Sequence, residues 1–456
     1  MSRSPALTIG LVVAVACGAA RGSETPLALR THLTAAEARE VVRHRAGWDV
    51  CLPNLAVLTP EVAAALAQPA GFYRLCLPAV ETLYPESARA LASASGDLDM
   101  PGVTALTPEA AAALGPHRGH LELAGLATLT AEVAAALAGH SGHLCLSGLT
   151  ELTPEVATAL AGQAGQLSLP GLATVPADVA AAIAGHRGDR LALGGLTRLP
   201  PDVAAALAAH RGTLVLPRLA DLSAEAAAAL ALHRGPLSLT GLAAVTVEAA
   251  AALANHADGL LLGGFSMLSP DVAAALAAHG GTLSLPDLHL LTAEVAAAFT
   301  PHRGVLCLPG VTTLSPAAAE ALALHQGGLV LSGLTRLAPE AARGLAGHRG
   351  DVDLFALTRT PTLDSVDLAG LLTAKSRLLS LPNVLRLDAA DSVAIAETLA
   401  RGAGSVSLPN LQAASPATVA ALLAGGNVAI PPLERIELLA EPSAGEPLAE
   451  GDLRGD

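Results

Sequence analysis

Pairs of leucines two positions apart recur along this chain, each followed by the same succession of apolar and polar residues. The unit from Leu121 to Gly142 shows the order. Leu121-x-Leu123 comes first, then Gly125, Leu126 and Leu129, then Thr130-Ala-Glu-Val133-Ala-Ala-Ala-Leu137, and finally His140-Ser141-Gly142. A spacing of two puts Leu121 and Leu123 on one side of a short strand. Val133 and Leu137, four apart, share one face of a helix. Thr130 offers an N-cap oxygen, and Pro154 in the next unit suits the first helical position. The acid at the second helical position (Glu132, Glu155) complements the helix dipole but forms no capping box. The pattern predicts a helix of about eight or nine residues that stops at His140-Ser141-Gly142, with the glycine left-handed.

The same order opens again at Leu144, Leu167, Leu191, Leu214, Leu237, Leu260, Leu283, Leu306 and Leu329. The interval is 23 residues, with one slip to 24 before Leu191. Self-similarity at that period marks a solenoid, because no unit can bury its own apolar face without its neighbours. Small alanine faces let helices approach the low end of about 8–10 Å, while strands stack at about 4.8 Å. That mismatch predicts a curved α/β solenoid, with short parallel strands on the inner face and short Ala-rich helices on the other.

From about Val50 to Leu433 these residues resemble the leucine-rich repeat family: Leu-x-Leu, a turn, a further leucine, then a helix at a family-like period. The chain departs from the family at Leu126, Leu149 and Leu172, where a buried asparagine is usual. Its turn must therefore satisfy the backbone by other means. The resemblance implies the repeat fold, and protein binding as the usual role.

The flanks read differently. Arg3, the apolar run from Leu7 to Ala16 and the small residues up to Gly22 make 1–22 a signal peptide, with cleavage expected after Ala16, Ala20 or Gly22. Ala14-Val15-Ala16-Cys17 also resembles a lipoprotein box, which makes Cys17 a candidate lipid anchor. Export to the periplasm, cell envelope or extracellular space is expected. Residues 23–49 read as an N-terminal cap, with a helix from Thr34 to Arg43 and the only tryptophan, Trp48, over the first core layer. Residues 50–351 are the regular array. Residues 352–433 are irregular repeats with an insertion between Arg359 and Ala374, and 434–456 read as an acidic, disordered tail. No stretch after the leader is apolar for long enough to span a bilayer.

A formal charge of −14, with Lys375 the only lysine, argues against nucleic acid or an anionic membrane surface as partner. Aromatics are 2% of the chain, so the usual interface anchors are few. The sequence contains no nucleophile elbow, phosphate-binding glycine loop or zinc-protease helix. It is read as non-enzymatic, with no cofactor.

Repetition turns each position into a row. Histidine fills the helix-end position at His117, His140, His186, His210, His233, His256, His279, His302, His325 and His348. Such a row suits a metal or pH-sensing ladder. The preferred reading is structural: imidazole bonds a terminal helix carbonyl and, when protonated, favours the dipole. Gln163 keeps the hydrogen bonding and gives up zinc ligation. Glu109, Glu132, Glu155 and their counterparts form an acidic row that helix-dipole complementation explains without an ion.

The outward positions of the strands break the repetition. Asp97, His120 and His143 fall in one column, with Asp99, Glu122 and Cys145 beside them. These six are the candidate binding residues, where a partner or a metal docks; no metal ligand set is assigned. Later pairs such as Pro236/Ser238 and Thr282/Ser284 are blander. Cys51 and Cys76, in consecutive units, lie within disulfide reach, although cysteine as a small occupant of that position is the preferred reading. The sequence therefore points to an exported scaffold that binds a protein or surface polymer through its sheet. A structural or adhesive spacer is the alternative, and a metal site on the N-terminal sheet face the second alternative.

Overall fold

The computed structural model describes residues 27–44, 49–68, 74–359 and 363–439. The expected signal peptide, Cys17, Trp48 and residues 440–456 of the expected tail lie outside the described residues, whereas the start of that tail, read as disordered, holds the strand Glu437–Leu438. The chain divides into two compact units, Met1–Leu196 with His210–Val215, and Thr197–Ala209 with Leu216–Asp456.

The first unit opens with the expected cap helix, at Ala35–His44. Thr34 and Glu37 form a true capping box: the Thr34 amide donates to Glu37 Oε2 at 2.7 Å, and the Glu37 amide donates to Thr34 Oγ1 at 3.3 Å. Eight short strands follow: β1 (Val50–Cys51), β2 (Arg74–Cys76), β3 (Asp97–Asp99), β4 (Leu121–Glu122), β5 (Leu144–Cys145), β6 (Leu167–Ser168), β7 (Arg190–Ala192) and β8 (Thr213–Val215). They pair in chain order and in parallel, with Leu98, Leu121, Leu144 and Leu167 in one register row. The slip to 24 residues leaves Leu167 paired with Leu191. The additional residue is taken up after Gly188, at Asp189-Arg190, so the leucine stays on its inward face.

Leu121, Leu123, Leu126, Val133, Ala134 and Leu137 are all buried, so strand, turn and helix contribute to one core layer. Thr130 caps the helix as expected, its Oγ1 accepting from the Val133 amide at 3.3 Å. The helix is shorter than the sequence suggests, seven residues from Ala131 to Leu137. Its last turn tightens instead of continuing: Gly139 N–H donates to Ala136 O at 3.2 Å, and His140 N–H to Leu137 O at 2.9 Å.

Gly142 also departs from expectation. Among the described residues, positive φ occurs at Gly235, Gly264 and Gly426. Gly142 is needed for a different reason, since a Cβ there would lie 2.2 Å from the carbonyl oxygen of Gly119 in the unit before. The absent asparagine is also accounted for: the turn closes on itself, with Leu126 N–H donating to Leu123 O and Leu149 N–H to Leu146 O, each at 3.3 Å.

The second unit repeats the plan through β9 (Leu237–Leu239), β10 (Leu260–Leu262), β11 (Leu283–Ser284), β12 (Leu306–Cys307), β13 (Leu329–Val330) and β14 (Val352–Asp353). The pattern then changes. The helix Val366–Lys375 has ten residues and occupies much of the stretch read as an insertion. The remaining strands form two parallel three-stranded sheets. One contains β15 (Leu378–Ser380), β17 (Ser405–Ser407) and β19 (Val428–Ala429); the other contains β16 (Arg386–Leu387), β18 (Ala413–Ala414) and β20 (Glu437–Leu438). The second of these lacks the Leu-x-Leu signature. Each unit is an α/β solenoid with parallel strands. Among the described residues, no helix is long and apolar enough to cross a membrane.

Candidate functional site

Because Leu121 and Leu123 are buried, the residues on either side of Leu121 must project from the opposite face of the strand. Cα register places Cys51, Cys76, Asp99, Glu122, Cys145 and Ser168 in one column across β1 to β6. The six expected residues separate into two groups within it.

Asp99 turns toward the N-terminal side. It forms an ion pair with Arg74 that shields its carboxylate. Beside that pair lie Cys51 and Cys76, both free and half-buried. A hydrogen bond from the Cys76 thiol, with Arg74 nearby, draws Cys51 down to about 7, while the same bond and burial push Cys76 up. Arg74 and this thiol pair were not among the six candidates. The spacing puts Cys51 and Cys76 within reach of each other, and they remain free thiols.

His120, Glu122 and Cys145 converge. One ligating atom from each lies within 4.8 Å of the others. His120 Nε2 stands 3.5 Å from Glu122 Oε2, and the His143 ring lies tilted against the His120 ring with centroids 4.3 Å apart. Ser147 donates its hydroxyl to Glu122 Oε1. Asp97 serves the backbone, its Oδ1 accepting from the His120 amide at 2.9 Å. Burial works against the Glu122 carboxylate, but the nearby His120 ring, the Cys145 thiol and the Ser147 hydroxyl outweigh it and hold the carboxyl below its ordinary range. Burial and then the neighbouring Glu122 push the Cys145 thiol up to about 12. Burial, then the His120 and Arg190 charges, lower His143. Ser147 gave no signal in the sequence, where its position holds alanine or proline in neighbouring units.

The histidine row lies elsewhere and behaves differently. Its rings are buried; His117 and His140 stack at 5.6 Å and His186 and His210 meet tilted at 5.7 Å in the first unit, and the rings stack at 5.5 to 6.4 Å in the second. The partners of His186, His256, His302 and His325 belong to the preceding repeat, not to their own helix end. His256 Nε2 bonds Gly235 O at 3.0 Å, His302 Nδ1 bonds His279 O at 2.7 Å, and His325 Nδ1 bonds Phe299 O at 3.2 Å. Gln163 fits the row by passing the bond along: His186 Nε2 meets its Oε1 at 2.9 Å, and its Nε2 donates to Gly142 O at 2.8 Å. The dipole contribution that a protonated imidazole would add is disfavoured here. Burial and neighbouring rings lower His140 and His186 to about 4, and burial also lowers His117, His256, His279, His302 and His348.

No family model matches the chain, and no curated protein matches it. Solved structures of similar course include a leucine-rich repeat protein from Leptospira interrogans, 18% identical over 87% of this chain and 98% of that one, with a TM-score of 0.37. An internalin from Listeria monocytogenes is 14% identical over 71% of this chain and 89% of that one, also with a TM-score of 0.37. A chain of the yeast Rad7–Elc1 complex is 15% identical over 71% and 80%, with a TM-score of 0.33. The strand register and the buried leucine rows are those of a leucine-rich-repeat-like solenoid.

Proposed function

We propose that this chain is an exported, non-enzymatic scaffold that binds a protein or surface polymer through the outward face of β2 to β5. One observation carries the reading: polar and ionisable residues collect on that face, whereas the corresponding positions on β9 to β11 hold Pro236, Ser238, Gly259, Leu261, Thr282 and Ser284. Solenoids use such extended faces for recognition, and the signal-like leader supports export. A lipid anchor at Cys17 would tether the scaffold to an envelope membrane.

The test is affinity capture from envelope extract with the chain and with a His120→Ala/His143→Ala variant. A defined partner captured by the first and lost by the second supports the reading. Equal capture by both, or capture through the bland face alone, contradicts it and favours the spacer.

A further inference from the structure

We infer that His120, Glu122 and Cys145 form a site for a divalent transition metal of the zinc class, with three protein ligands and a fourth position facing solvent. The inference does not depend on protein binding. Two N or O ligands at about 2.0–2.1 Å from a tetrahedral zinc lie about 3.3–3.4 Å from each other. His120 Nε2 and Glu122 Oε2 are 3.5 Å apart, so they need close by only tenths of an ångström. The Cys145 sulfur lies within the same 4.8 Å cluster.

His120 Nε2 supplies a second, independent observation. It is shielded from water, and its polar neighbour, Glu122 Oε2 at 3.5 Å, stands too far for a good hydrogen bond, although a buried ring nitrogen normally finds a closer partner. A metal between it and the carboxylate would give both atoms one. The surroundings already orient the ligands. Ser147 holds Glu122 Oε1 and so leaves Oε2 toward His120, and Asp97 fixes the His120 backbone. Such second-shell contacts are the ordinary support of a metal site. One nitrogen, one oxygen and one sulfur suit zinc better than calcium or magnesium, which favour all-oxygen sets. On binding, the metal–sulfur bond replaces the S–H bond and the proton leaves to solvent. His143 borders the site as a tilted ring.

The experiment uses Co²⁺ as a spectroscopic probe, with Zn²⁺ competition, on the full chain carrying Cys51→Ser and Cys76→Ser so that the neighbouring thiols do not report. One equivalent of Co²⁺ is expected, with tetrahedral d–d absorption and a thiolate-to-cobalt charge-transfer band. Cys145→Ser should abolish that band, and His120→Ala should weaken Zn²⁺ binding at least tenfold. His120 is partly exposed on the sheet, so it gives a readout even if the Cys145 variant fails to fold. Failure to bind Co²⁺ stoichiometrically overturns the inference, as does equal binding with and without His120. Because the probe is the metal alone, loss of partner capture leaves this result unaffected.

Discussion

The chain carries two sets of histidines, and their surroundings differ sharply. The helix-end set repeats almost without interruption and is buried, and His186, His256, His302 and His325 bond backbone or Gln163 in the preceding repeat. His120 and His143 occur once each on the sheet face, half-buried beside Glu122 and Cys145. Both sets contain the same imidazole. The first tiles the solenoid; the second interrupts the tiling. Repetition therefore marks framework, and departure from it marks candidate chemistry.

Acid should separate the two sets most strongly. The folded pKa values of His117, His140, His186, His256, His279, His302 and His348 lie below the unfolded value of about 6.5, so the unfolded chain binds more protons between the two. Stability is complete above about pH 6.5 and falls as pH drops toward about 4. By pH 5, His140 and His186 alone should each cost about 2 kcal/mol. Urea midpoints at pH 7.5 and pH 5 measure the loss.

Gly188→Ala should cost about 2–3 kcal/mol. Its Cβ would sit 1.7 Å from Gly165 O and 2.6 Å from the His186 ring, so the stacked turns must separate. Thr130→Ala removes one cap and should cost about 1 kcal/mol by the same measurement. His120→Ala should change stability by less than about 0.5 kcal/mol while abolishing partner capture.

Much of the fold was legible because the repeat prints the strand, cap and core positions many times over. Leu121, Leu123, Val133 and Leu137 declare their burial by spacing alone. Helix length was overestimated because Ala138 continues the alanine-rich composition while the backbone tightens into 3₁₀-type bonds at Gly139 and His140. The ladder's direction was hidden for a related reason: an imidazole at a helix end reaches its own carbonyls or the previous repeat's depending on how closely the repeats stack. The sheet of β16, β18 and β20 escaped notice because Arg386-Leu387 and Ala413-Ala414 share no motif.

The candidate face was legible as a set of outward positions, and its subdivision was not. Asp99 belongs with Arg74 and the thiol pair, whereas Glu122 belongs with His120 and Cys145. Side-chain choices of that kind leave no periodic trace. Ser147 is the clearest case, a hydroxyl at an unremarkable turn position that orients a carboxylate.

The most direct test is side-by-side urea unfolding of His140→Ala and His120→Ala at pH 7.5. A framework histidine should leave a cavity and cost about 2–4 kcal/mol, with His120→Ala within about 0.5 kcal/mol of the parent. Equal losses, or a larger loss at His120, would contradict the division between repeated framework and singular face.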